Sequence, residues 1–588
     1  MGLHYLDITI VSVFLGVILM ISIGLKAKAG NDMNSFFLGG RNMPWYLAGV
    51  SMVATTFAAD TPLWVTEKIA QHGISGNWLW WNMLIGGMLT TFFFAKLWRR
   101  AEVTTELELI EFRYGGKAAQ FLRAAKAIYM GLFINIVIIG WVNVALGSIL
   151  TIFFGIEEEI VIYYIFGIML LVALYSAISG LKGVIITDAI QFVIAMVGCV
   201  VLAIVLIQHE SVGGIVGLKE KLPAWRFEFF PRIGETDANV YSISIGAFLT
   251  FAMLQWYMSW YPGAEPGGGG YIAQRMMSAK DEKHALLATL FFQITHYCIR
   301  PWPWIMAGLA CLVLYPALPI EKSGEAFVMA MNDHLPIGVK GLLLTAFLGA
   351  YMSTISTQLN WGVSYLTSDL YARFIKPNRC FSSKEKANRH YILMARLFTI
   401  GTMLLATFAT TQIKSIDAAA KFMISSGAGL GLVVILRWYW WRINAWSEIA
   451  ATFTPFILKA LILIPPFSTY CHGMSDTLMY NLTVVITTLV WLLVTFMTQA
   501  ESQQTLRRFY HKVQPAGWWS KGVGEEAIHK KTLSYHFLAW FFSMVFAYSL
   551  LFLIGKIIFR EWIEVLYYTI TLLVSLTLFF FSFKKMMR

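Results

Sequence analysis

The chain places Ala350, Ser353, Thr354 and Thr357 at i, i+3, i+4 and i+7 within an apolar stretch, so on a helix they share one face. Ser356 flanks them. The stripe is rich in oxygen and poor in bulk. Hydroxyls of this kind, joined by backbone carbonyls from an interrupted helix, supply the several neutral oxygens that a hard cation such as Na+ takes. The same residues also suit close packing between membrane helices, so the stripe alone leaves both readings open. Asp188 adds a charge. It stands in Gly180-Leu181-Lys182-Gly183-Val184-Ile185-Ile186-Thr187-Asp188-Ala189-Ile190-Gln191, and a carboxylate inside an apolar span marks an ion or proton path by default. Its other reading is an interfacial residue paired with Lys182. Arg300, in His296-Tyr297-Cys298-Ile299-Arg300-Pro301, is a second charge at such depth. It could meet a substrate carboxylate, but a structural pairing with Asp60 or Glu67 is the expectation. His296 reads as a packing residue.

Two interrupted helices must position these groups. One contains Ala54-Thr55-Thr56-Phe57-Ala58-Ala59-Asp60-Thr61-Pro62. Proline inside a helix removes a hydrogen bond and clashes with the preceding turn. The other runs Gln255-Trp256-Tyr257-Met258-Ser259-Trp260-Tyr261-Pro262-Gly263, then Glu265-Pro266 and Gly267 to Gly270. Irregular backbone is tolerated at membrane depth where it lines a cavity or is buried in protein. A single proline is most simply a kink. A pair of breaks an odd number of spans apart fits two inverted units with a binding site between them.

Composition sets the solvent. Of 588 residues, 58% are hydrophobic and 13% charged, against about a quarter charged in soluble domains, so lipid must be the main solvent. A bilayer core needs roughly 20 apolar residues of helix, and on that basis the chain offers about fifteen candidate spans. The net charge is +12, but the basic residues are spread between apolar segments, which excludes a nucleic-acid face. Their loop distribution puts the N-terminus outside and the C-terminus in the cytoplasm of a cell (inner or plasma) membrane. Five cysteines form no CxxC pair and read as neither a disulfide scaffold nor a zinc site. No convergent acid/base or metal set points to an enzyme. The basic loop 500–535, with Trp518 and Trp519, is expected along the cytoplasmic surface. Trp78 and Trp80 read as lipid-interface anchors.

Several motifs, in order, resemble the sodium:solute symporter family over about residues 5 to 440. They are Phe37-Leu38-Gly39-Gly40-Arg41 with Pro44-Trp45; Gly180-Leu181 with Thr187-Asp188-Ala189-Ile190-Gln191; Gln274-Arg275 with Ser278-Ala279-Lys280; and Ser353-Thr354 with Asn360, Thr367, Asp369 and Tyr371. The resemblance implies an all-α polytopic protein with a LeuT-type 5+5 inverted-repeat core. That core would occupy 44–438, with repeats at 44–207 and 239–438, one extra helix and a cytoplasmic loop in 1–43, and about four accessory helices in 439–588. It implies Na+-coupled import of a small organic solute (a sugar, amino acid, sialic acid or similar) by alternating access, with no obligatory protein partner. The main Na+ site would take backbone carbonyls of Ala54, Phe57 and Ala350 and hydroxyls of Ser353 and Thr354. A second Na+, and so two per cycle, would fall on Asp188, Ser353, Ser356 and Thr357. The candidate substrate residues are Thr56, Thr61, Trp81, Asn82, Gln255, Trp256, Tyr257 and Arg300. Alternatives are a proton-coupled or uncoupled carrier of the same fold, or a transporter-like sensor.

Overall fold

A computed structural model describes residues 3–25, 38–231, 243–261, 263–413, 415–523 and 530–587, without the side chains of 19, 22, 23, 25, 175–184, 520 and 530–532. Phe37, Pro262 and the side chains of Gly180 to Val184, Lys182 included, therefore lie outside the described residues. The described chain is built from helices and the loops between them, without named strands. Nine of its helices are long and apolar enough to cross a membrane.

The first interruption separates α2, Trp45–Thr55, from α3, Asp60–His72, after an initial helix α1, Tyr5–Leu25. The chain leaves the helix before Pro62, not at it. Pro62 sits in the first turn of α3, where its missing N–H would have no intrahelical partner in any case. The stretch 78–101 follows, with a π-helical segment at Thr90–Phe94. Next come α4, Gly116–Phe154, α5, Val161–Leu174, and α6, Ile185–Gln208.

Contacts fix their directions against α10, Val339–Ile375. On α4, Gly131 lies against Gly362 and Asn143 accepts from the Tyr351 hydroxyl at 2.8 Å, so the two helices are antiparallel. Ile165 lies by Gly147, and Met169 accepts from Asn143, so α5 is antiparallel to α4. Gly198 lies by Leu343, Gln191 by Gly349 and Asp188 by Ser353, so α6 is antiparallel to α10. It follows that α5 and α6 are separate crossings in opposite directions.

The second interruption is longer. α7, Ile245–Met258, and α8, Gly270–Ser278, are joined by an extended, glycine-rich stretch. This stretch is held on both sides: Trp260 N–H donates to Gly427 O at 3.1 Å, Gly429 N–H to Met258 O at 2.8 Å, and Trp98 Nε1 to Gly267 O at 2.8 Å. The start of α2 lies beside the end of α8, with Met43 and Ala279 paired in a short bridge. The two interrupted helices thus sit side by side in opposite senses.

After α9, Glu282–Leu314, and α10 come α11, Lys384–Thr410, α12, Ile416–Ser426, α13, Leu430–Tyr439, α14, Ala445–Ile462, and α15, Asp476–Met497. Glu448 on α14 is fully buried and accepts from Lys126, Arg437 and Tyr114, and Glu106 lies 3.7 Å from Arg437, so that two carboxylates balance two cations. The last two helices, α16, Leu533–Ile558, and α17, Trp562–Met587, form a hairpin packed on 78–101. The Tyr548 hydroxyl donates to Trp81 O and Trp540 Nε1 to Ile85 O.

Packing of the aromatic residues corrects one expectation. Trp78 and Trp80 are buried in protein, 5% and 6% exposed, and not anchored at a lipid interface; Trp78 stacks on Tyr548 and donates to Phe229 O. In the 500–535 loop Trp518 is exposed, but Trp519 is buried against Phe509 and donates to Trp438 O. One indole of this loop is thus docked against the bundle.

Candidate functional site

The oxygen stripe of α10 faces the break between α2 and α3. Ser353, Thr354, Ser356 and Thr357 are all at most 3% exposed. Thr354 Oγ1 stands 3.5 Å from Thr55 O, long for a strong hydroxyl hydrogen bond. Two oxygens at about 2.4 Å from one hard cation, set at a right angle, stand roughly 3.4 Å apart. Ser353 Oγ donates to Asp188 Oδ1 at 2.5 Å. Its lone pairs are thereby turned away from the carboxylate, and a hydroxyl so bound is a better metal ligand. Ala54, Phe57 and Ala350 are buried around the same break. These residues fit a small hard cation: neutral oxygens from two helices, one of them broken, with a carboxylate behind.

Asp188 has a second neighbour that the sequence reading missed. Its Oδ2 accepts from Ser51 Oγ at 3.2 Å, and Ser51 Oγ in turn lies 3.4 Å from Arg275 Nε. The Arg275 guanidinium, from α8, is fully buried. It donates to Thr55 Oγ1 at 3.2 Å, Thr357 Oγ1 at 3.1 Å and Gln274 Oε1 at 2.9 Å. Asp188 and Arg275 therefore balance through one serine hydroxyl. Of the residues expected at a second Na+, Asp188 and Ser353 touch, Ser356 Oγ donates to Ser353 O, and Thr357 serves the arginine.

Beside this network lies a cavity of about 110 Å3, bounded by the α2–α3 break, α4, the glycine-rich stretch, α9 and α10. Thr56, Thr61 and Arg300 line it, as expected of substrate residues. So do Asp60, His296 and Gln358, with Trp64, Trp80, Trp141 and Tyr261 among its aromatic walls. Arg300 does not pair directly with Asp60 or Glu67. It caps the carbonyl end of α2, donating to Val53 O at 2.8 Å, Thr56 O at 2.9 Å and Thr56 Oγ1 at 3.2 Å, where a helix end is negative. His296 packs among Trp80, Phe292 and Tyr297, and its Nδ1 also meets Thr56 Oγ1 at 3.1 Å.

The remaining substrate candidates sit elsewhere. Trp81 is turned into the protein against Trp78 and Phe552, and Asn82 donates to carbonyls of its own helix. Gln255 donates to Leu79 O and borders a different cleft. Trp256 and Tyr257 line a third, largely apolar cleft with Trp518 and Trp540.

A family model described as the sodium:solute symporter family matches residues 36–453. Similar proteins include the sodium/glucose cotransporter of Vibrio parahaemolyticus, 22% identical over 512 residues, covering 82% of this chain and 90% of that protein. The sodium/sialic acid symporter SiaT of Proteus mirabilis is 26% identical over 426 residues, covering 68% of this chain and 78% of that one. A solved structure of a Na+-coupled sialic acid symporter, substrate-bound and outward-open, aligns with TM-score 0.64 over 85% of this chain and 99% of its own, at 19% identity. At that identity the likeness is one of fold, and the fold is the LeuT-type inverted-repeat core.

Proposed function

From the premise that the chain belongs to the sodium:solute symporter family, we propose that it imports a small polar solute together with Na+ by alternating access. It is a multi-pass membrane transporter and not an enzyme. The core is assigned to 44–438, between a leading helix in 1–43 and accessory helices in 439–588. The loop charges favour an external N-terminus and a cytoplasmic C-terminus.

The observation that carries the Na+ assignment is the approach of Thr354 to Thr55 O at the broken α2–α3 backbone, with Ser353 beside it oriented by Asp188. Na+ would be held there by carbonyls of Ala54, Phe57 and Ala350 and by the two hydroxyls, and its gradient supplies the driving force. The place beside Asp188 is read differently. Arg275 donates to Thr357 and balances Asp188 through the Ser51 hydroxyl, and on that ground the cycle is assigned one Na+.

Ions that bind the folded state raise its stability by mass action, by about 2.7 kcal/mol at one hundred times Kd. The purified chain is expected to melt at a higher temperature in NaCl than in choline chloride of equal ionic strength. Proteoliposome uptake is expected to need an inward Na+ gradient. Identical melting and identical uptake in the two salts would remove the symport reading.

A further inference from the structure

The central cavity shows what chemistry its solute must bring, an inference that rests on the symporter reading above. At about 110 Å3 it is well below the roughly 300 Å3 at which pockets for drug-sized ligands begin. Two acceptors on its wall, Asp60 Oδ1 and Gln358 Oε1, are buried without a donor. One donor on its wall, Arg300 Nε, is buried without an acceptor. Buried polar atoms left in this state are costly, and a ligand that completes them recovers that cost.

The charges narrow the class further. The other nitrogens of Arg300 are committed to the end of α2, and its guanidinium is stacked near Trp304 and Phe57, at 5.1 and 5.7 Å. It is a fixed positive charge that cannot swing away. A solute carrying only a cation would be attracted by Asp60 and repelled by Arg300. A solute carrying only an anion meets the reverse. A neutral polyol supplies hydroxyl donors but brings neither a cation to the Asp60 carboxylate nor an anion to Arg300 Nε. A molecule with both charges answers all three of these atoms. Trp64, Trp141 and Tyr261 add aromatic surface to the wall, which favours an ammonium group.

We propose that this cavity binds a small zwitterion, its ammonium group on Asp60 and Gln358 and its carboxylate toward Arg300. The experiment is calorimetric titration of the full-length purified chain in saturating NaCl. The probes are the proteinogenic α-amino acids, the decarboxylated amine of each that binds, and D-glucose. At least one amino acid is expected to bind, at least tenfold tighter than its own amine. Asp60→Asn and, separately, Gln358→Met are expected to weaken it at least fivefold while keeping the Na+-induced rise in melting temperature, which shows that each variant is folded. Binding of D-glucose with every amino acid silent would overturn the proposal and leave the symporter reading standing. So would a panel that is silent throughout while Na+ still stabilises the wild type. Loss of the Na+ effect in the wild type would instead overturn the reading beneath it.

Discussion

Replacing Asp188 by Asn is expected to destabilise the protein by about 3 kcal/mol, the scale reached when one partner of a buried charge pair is removed. The carboxylate anchors the Ser51 and Ser353 hydroxyls, and through Ser51 it balances the fully buried Arg275. With Asn at 188, that guanidinium keeps its charge at a depth where water cannot replace the lost partner. The single variant should therefore fold in low yield and melt early. The double variant Asp188→Asn with Arg275→Gln should recover most of the loss, because two neutral amides can still hydrogen bond where two charges stood. Thermal melting of the two variants beside the wild type decides the matter. If Asp188 instead holds a second Na+, the double variant would not be rescued. Activation by Na+ would then fall from a Hill coefficient above one towards about one as coupling between two sites is lost.

The second expected result concerns the main ion site. Thr354→Ala removes an oxygen that faces the α2–α3 break and Ser353→Ala the neighbouring oxygen held by Asp188, on a helix whose backbone needs neither. A hydrogen-bond-sized contact to a charged partner is worth about 1.5–3 kcal/mol, so each change should raise the Na+ concentration for half-maximal uptake roughly tenfold or more. The two effects are not expected to add fully, because both hydroxyls would serve one ion. Surface expression should stay near wild type. Ser353→Ala carries a further signature. It also strips Asp188 of its closest donor, so its melting temperature should drop more than that of Thr354→Ala. Wild-type Na+ activation in both variants would place the ion elsewhere.

The stripe on α10 was legible because helical spacing alone puts its hydroxyls on one face, and the two breaks were legible because proline, glycine and small residues crowd there. The partner of each polar group was harder to read. Arg275 was visible as part of a motif, but its neighbours come from α2 and α10, far away in the chain. Trp81 and Asn82 were one and two residues away from the residue that faces the cavity, Trp80, and neighbouring residues on a helix point about 100° apart. At Gln255, Trp256 and Tyr257 the register was lost for a different reason. A π-helical turn at Phe251–Gln255 widens the helix just before them, and the chain stops being helical at Ser259, so Tyr261 reaches the cavity instead. The burial of Trp78 depends on a hairpin more than 400 residues later, and that of Trp80 on His296 and Tyr297 of α9, which periodicity cannot reveal.

The glycine-rich stretch between α7 and α8 bears on how the protein can be re-engineered. Gly268 and Gly270 have positive φ values of 78° and 54°. A side chain at Gly268 would press within 2.7 Å of Met276 and 2.9 Å of Trp98, and one at Gly270 within 2.5 Å of Glu265. Strain and collision act together, so a saturation-mutagenesis map should show this segment as a band of intolerance as sharp as any binding motif. Its cause would be volume and backbone shape. Selection for altered solute preference should therefore leave those glycines fixed and diversify the wall at Thr61, Trp141 and Gln358, where a changed side chain meets the cavity instead of a packed neighbour.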